Sequence, residues 1–168
     1  MYIRALLMAF ILTTSTTACS AQRKVDSGTY NLMLKTLLKH SVPEVSVSDV
    51  LAMDSPVLLD SRELEEYDVS HLQDAVWVGY DDFDMSRVAD VPKSAKIVVY
   101  CSVGARSEKI SKRLIEAGYT DVSNLYGGIF EWVNREQPIY NAEGRTDRVH
   151  AYNRTWGVWV KRGQKVYE

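Results

Sequence analysis

Cys101 and Arg106 lie in "VVYCSVGARSEKISKRLIEAGY", Val98–Tyr119, with four residues between them. A β-branched run ends at the cysteine, and a helical pattern opens just after the arginine. That spacing puts a thiol at the mouth of a strand, in the loop that turns into a helix. Backbone N–H groups of such a loop and of the first helical turn have no intrahelical acceptors. If the loop curls around the sulfur, the donors of Ser102, Val103, Gly104, Ala105, Arg106 and Ser107 point at it. The helix dipole adds partial positive charge, and Arg106 adds a full one. Gly104 lets the backbone take a positive φ inside a tight loop. Each of these effects favours thiolate over thiol. A free thiol with a pKa of about 8.5 is mostly protonated near neutral pH, and lowering it by about two units corresponds to about 2.7 kcal/mol. The chemistry served is nucleophilic attack by sulfur. The same cradle would hold a persulfide, Cys–S–S⁻, whose outer sulfur carries the charge.

The only other cysteine is Cys19. It lies in "MYIRALLMAFILTTSTTACSAQ", where Arg4 is the single charge, Ala5 to Leu12 is apolar and small residues follow. This is the layout of an export signal. Thr16-Thr17-Ala18-Cys19 resembles a bacterial lipobox, with threonine in place of the usual leucine at its first position. It predicts a lipidated Cys19 after a signal over 1–18. Cleavage before Gln22, after a plain signal over 1–21, is the alternative. The expected location is the periplasm, free or anchored to a bacterial membrane by that lipid alone. Either way Cys101 is left without a disulfide partner, which leaves reactivity or inert burial as its roles.

The elements that must position Cys101 follow from the hydrophobic period. From Pro43 onward, short apolar runs alternate with helical patterns. "EVSV", "PVLLD", "AVWVGY", "KIVVY" and "DVSNL" read as strands. "SDVLAM", "RELEEYDVS", Ser107 to Ala117 and "GIFEWVN" read as helices, with Ser48 and Gly118 as caps. The alternation predicts an α/β domain over 43–134 with a mainly parallel sheet. Ligands bind beyond the C-terminal strand ends of such sheets, which is where Cys101 falls. Before the domain, residues 26–40 predict an amphipathic helix with Ser27 as N-cap. After it, residues 138–168 predict a β-rich extension packed on the domain, with a hairpin in "GVWVKRGQKVY" near Arg162-Gly163. Its tyrosines and tryptophans are too much aromatic surface to leave in water. His150 and Tyr152 are placed by this reading at the entrance to the Cys101 loop.

Other groups read as structural. Asp60 and Arg62 beside a buried strand suggest an ion pair. His71 suggests a satisfied structural histidine, and Trp77 core or pocket wall. Glu63, Glu65, Glu66 and Asp68 suggest a solvated helix face. Asp81, Asp82 and Asp84 lack a calcium-loop pattern. A net charge of −2 and no Lys/Arg block exclude a general nucleic-acid binder. No metal or cofactor motif is present.

At these residues the chain resembles the single-domain rhodaneses. Asp60-Ser61-Arg62 is similar to the family's D-x-R after the second strand. Ser70-His71-Leu72 with Ala75 is similar to its G-H-I-x-G-A segment, with Ser70 and Asp74 at the two glycine positions. Cys101 to Arg106 matches the six-residue active-site loop, and Leu125-Tyr126-Gly127-Gly128 with Trp132 the closing segment. The resemblance implies a five-stranded parallel sheet with helices on both faces. It also implies sulfane-sulfur transfer from thiosulfate or a persulfide donor to a thiol, cyanide or similar acceptor through a Cys101 persulfide, with Arg106 binding the donor anion. A rhodanese-fold binding or sensor module is the alternative from another class. A cysteine phosphatase or arsenate reductase fits less well. Such phosphatases place five residues between Cys and Arg, and usually a histidine where this chain has Tyr100.

Overall fold

The computed structural model describes residues 25–167. The expected export signal and Cys19 lie outside the described residues. The chain opens with α1 (Gly28–Leu37), then β1 (Glu44–Val45), α2 (Val47–Leu51), β2 (Val57–Asp60), α3 (Leu64–Val69) and β3 (Val76–Trp77). A 3₁₀ turn at Met85–Val88 leads to β4 (Lys96–Tyr100), α4 (Ala105–Glu116), β5 (Asp121–Leu125) and α5 (Gly128–Asn134). The extension holds β6 (Ile139–Asn141), β7 (Gly144–Thr146), β8 (Arg148–His150), α6 (Arg154–Gly157) and β9 (Gln164–Val166).

The main sheet has five strands in the order β1-β5-β4-β2-β3, and every pairing is parallel. Alternation along β4 feeds two cores. Val98 and Tyr100 join Tyr30, Leu34, Ile129 and Phe130 on one face. Ile97 and Val99 join Ile110, Leu114 and Val122 on the other. Ile97 to Tyr100 of β4 are fully buried, as a central strand covered on both faces must be.

The order of the strands also positions the site. After β2 the chain moves outward to β3. After β4 it moves the opposite way to β5. The loops leaving β2 and β4 therefore diverge and leave a crevice at their C-terminal ends. Cys101 follows β4 and stands at that crevice.

Several local expectations are corrected. The first strand stops at Val45, because Ser46 rather than Ser48 caps α2. Its Oγ accepts from the Asp49 N–H at 3.2 Å, and the Asp49 carboxylate takes the Ser46 N–H at 2.7 Å. The third strand is only Val76–Trp77. "GVWVKRGQKVY" is not a hairpin: its first residues end α6, and β9 pairs in parallel with β8. The hairpin of the extension is β6–β7 instead. The two positions where the family uses glycine behave differently. Ser70 is extended, at φ −174°, and needs no glycine. Asp74 takes a left-handed φ of 57°, which aspartate tolerates better than most residues.

The N-terminal helix covers Gly28–Leu37, shorter at both ends than the expected 26–40. The Ser27 Oγ accepts from the Tyr30 N–H at 3.3 Å, and Tyr30 and Leu34 face inward. The helix is tied to the domain by polar contacts at both ends. Tyr30 Oη donates to the Gly127 carbonyl at 2.8 Å. The Glu108 carboxylate accepts from the N–H groups of Lys39 and Ser41 at 2.9 and 2.7 Å.

Candidate active site

The loop after β4 does curl around its cysteine. Cys101 is 1% exposed, and the Gly104 N–H donates to its Sγ at 3.1 Å. Gly104 sits at φ 116°, a left-handed value open to glycine, as N-cap of α4. The helix starts at Ala105, two residues earlier than its spacing suggests, so Arg106 lies in the first turn. Burial alone pushes the Cys101 thiol up. The charge of Arg106 and hydrogen bonds from the Ser107 and Gly104 backbone N–H groups outweigh it, and the thiol falls below its ordinary range.

Asn124 holds the loop in shape. Its side-chain amide donates to the Gly104 carbonyl at 2.9 Å, and its Oδ1 accepts from Ser107 Oγ at 2.7 Å. Sequence reasoning missed this residue. The signal was a polar pair, Ser123-Asn124, breaking the apolar run expected of a buried parallel strand. The carbonyls of Cys101 and Ser102 are taken up from the far side by the first turn of α5. Ile129 N–H reaches the former at 2.9 Å and Phe130 N–H the latter at 3.1 Å. The Gly127-Gly128 turn thus braces the active loop from behind.

Arg106 stands beside Cys101, but it is not a free cation. Its Nη1 and Nη2 grip the Glu66 carboxylate at 2.5 and 2.8 Å, and Nη2 also reaches Ser102 Oγ at 2.9 Å. Ser102 Oγ in turn donates to Glu66 Oε1 at 3.0 Å. Glu63 adds a second carboxylate 3.9 Å from Nη1. Glu66 is 3% exposed, which corrects the reading of its helix as uniformly solvated. Burial pushes its carboxyl up, yet the hydrogen bonds and charge of Arg106 prevail and hold it below the usual range. Three acidic residues within one short helix and a fourth at its N-cap give no local sign of which one turns inward.

Asp60 and Arg62 form a fully buried pair, with Nη2 to Oδ2 at 2.6 Å. Arg62 also donates to the Ser70 carbonyl at 2.6 Å, so the pair fastens the loop that carries Ser70. Trp77 donates to the Arg62 carbonyl at 2.9 Å. His71 stacks on Tyr67 at 4.1 Å, and its Nδ1 lies 2.9 Å from the Leu72 carbonyl. Neither Asp60, Arg62 nor His71 lines the cavity over the cysteine.

That cavity has a volume of about 150 Å³. Cys101, Ser102, Val103, Ala105 and Arg106 form its floor and one side. Leu37 of α1 and Tyr152 and Trp156 of the extension form the rest. The Tyr152 ring covers the Arg106 guanidinium at 5.1 Å. His150 Nδ1 is 4.0 Å from Glu66, but it accepts the Tyr152 N–H at 3.2 Å. An accepting nitrogen carries no proton, so this contact is not an ion pair. Burial, which pushes the imidazole below its ordinary pKa, agrees. A larger recess of about 620 Å³ between β6–β7 and the segment before β9 shares no residue with the Cys101 cavity. It is rimmed by opposed charges, including Arg162 and Glu136 at 3.0 Å.

Comparison with known proteins converges on the same loop and sheet. A sulfurtransferase of Allochromatium vinosum is 34% identical over 106 residues, covering 62% of this chain and 98% of that protein. A tRNA uridine(34) hydroxylase of Staphylococcus saprophyticus is 37% identical over 91 residues, but the chain spans only 27% of its length. The crystal structure of a Bacillus halodurans protein superposes with a TM-score of 0.55 at 20% identity, covering 69% of this chain and 86% of that one, a likeness of fold. The family of the rhodanese-like domain matches residues 46–135, so the sheet, the crevice and the Cys101 loop all lie inside the match. This chain belongs to the rhodanese-like domain family.

Proposed function

We propose that the protein is a sulfurtransferase in which Cys101 accepts a sulfane sulfur, carries it as a persulfide and passes it to a thiophilic acceptor such as a thiol or cyanide. One observation carries this reading: a buried thiol held toward the thiolate by the Gly104 and Ser107 donors and the Arg106 charge, on the floor of an open cavity. The thiolate attacks the outer sulfur of the donor. A new S–S bond forms, and the bonding pair leaves with the remainder of the donor. The persulfide that remains is an anion, and the same N–H groups receive its charge. In the second half the acceptor attacks the outer sulfur, and the electron pair returns to Cys101. A thiolate cradle of this kind needs no general base, in keeping with His71 lying away from the cavity.

The test is intact-mass analysis after separate exposure to sulfane-sulfur donors and to phosphate esters. A gain of one sulfur atom on Cys101, discharged by cyanide with release of thiocyanate, is expected. Turnover of p-nitrophenyl phosphate without sulfur loading would replace the reading with phosphatase chemistry. Loading without discharge to any acceptor would favour a sensor.

The pH dependence follows from the same groups. Alkylation of Cys101 by iodoacetamide should reach half its plateau at a pH below that of a free thiol, because the folded protein favours the thiolate. Arg106→Ala removes the cation and leaves Glu66 unpaired, so both changes disfavour the thiolate. Its alkylation profile should move toward higher pH. A profile that stays where it was would show that the loop amides alone set the thiol.

A further inference from the structure

The matched family segment covers 46–135, yet three walls of the Cys101 cavity come from outside it. Leu37 belongs to α1, and Tyr152 and Trp156 to the extension. With Val103 and Ala105 they make the space above the sulfur largely apolar. The electrostatics point the same way. Among the described residues, the one cation lining the cavity is gripped at both Nη atoms by Glu66, approached by Glu63 and covered by the Tyr152 ring. With Cys101 ionised, the thiolate and Glu66 together outnumber Arg106. A dianion entering here meets a net negative site and must leave its water behind.

We propose that the sulfur donor is an organic compound with an aromatic or branched apolar group and no more than one negative charge, selected over thiosulfate by Leu37, Tyr152 and Trp156. This rests on the sulfurtransferase reading and narrows it to a substrate class. The scale fits: a cavity of roughly 150 Å³ lined by aliphatic and aromatic side chains takes up a benzene ring. An arenethiosulfonate, ArSO₂–S⁻, represents the class. The Cys101 thiolate attacks its terminal sulfur. The S–S bond forms as the S–SO₂ bond breaks, and the bonding pair leaves with the arenesulfinate. One thiolate and one thiosulfonate become one persulfide anion and one sulfinate, with no proton transfer and no outside oxidant.

The experiment compares thiosulfate, methanethiosulfonate and benzenethiosulfonate as donors to the whole chain. Rates of Cys101 persulfide formation are divided by the rates of the same donors with a small free thiolate. Methanethiosulfonate should then exceed thiosulfate, and benzenethiosulfonate should exceed methanethiosulfonate by at least tenfold. Leu37→Ser and Tyr152→Ser should each lower the benzene-to-methane ratio several-fold. Both side chains are more than a third exposed, at 36% and 47%, so neither change opens the core. Thiosulfate matching or exceeding methanethiosulfonate overturns the selection by charge. A ratio indifferent to both substitutions overturns the selection by the walls. Loading by thiosulfate alone leaves the sulfurtransferase reading standing and removes this one, whereas loading by none of the three removes both.

Discussion

Cys101→Ser is expected to abolish persulfide formation and cyanolysis, by on the order of 10⁵-fold or more, the scale seen when a covalent nucleophile is deleted. The substitution is nearly isosteric, but a serine hydroxyl does not ionise near neutral pH and forms no stable bond to a sulfane sulfur. The fold should survive. The Gly104 N–H can donate to the new Oγ as it does to Sγ, so the buried hydroxyl is not left without a partner. The Cys101 carbonyl, held by Ile129 N–H at 2.9 Å, is untouched. Thermal unfolding should therefore stay close to that of the parent while intact mass shows no added sulfur. Cyanolysis that persists in this variant would place the sulfur carrier elsewhere.

Gly128→Ala is expected to damage stability and reactivity together. A Cβ at this position would meet the Cys101 carbonyl oxygen and would lie 2.6 Å from the Ser102 carbonyl oxygen, both backbone atoms of the active loop. The residue also holds φ 56°, which costs alanine about 1 kcal/mol or more. Relief requires α5 to withdraw, stretching its N–H bonds to those carbonyls, and each buried bond lost costs about 1–3 kcal/mol. A total near 3 kcal/mol is the expected loss, read by denaturant midpoint. The displaced loop should also aim the Gly104 N–H away from the sulfur and shift the alkylation profile to higher pH. A variant with parental stability and an unmoved profile would show that α5 does not set the loop.

The family reading needed only local spacing. A β-branched run ending in cysteine, a glycine three positions on, an arginine and then a 3.6-residue period describe a strand, a turn and a helix whatever surrounds them. The structure returns that as β4, the Gly104 turn and α4. Ser27 as a cap, Gly118 at φ 91° just past the end of α4, and the strand–helix alternation are local in the same sense. Each is dictated by backbone geometry over a few residues, so the sequence carries it without knowledge of distant partners.

What surrounds the sulfur is not local. Glu66 reaches Ser102 and Arg106 across 36 and 40 positions, and nothing in "ELEEYD" separates it from its exposed neighbours. Asn124 meets Gly104 across 20 positions. The pairing of β9 with β8 rather than with its own preceding segment, and the seating of Tyr152 and Trp156 beside Leu37, depend on which surfaces the folded domain leaves uncovered. The sequence alone thus determined the place of the cysteine, its loop and the sheet that presents it. Tertiary structure decided the charge that the Cys101 thiol sees and the walls of the cavity above it, because burial and pairing are properties of residues brought together only when the chain has closed.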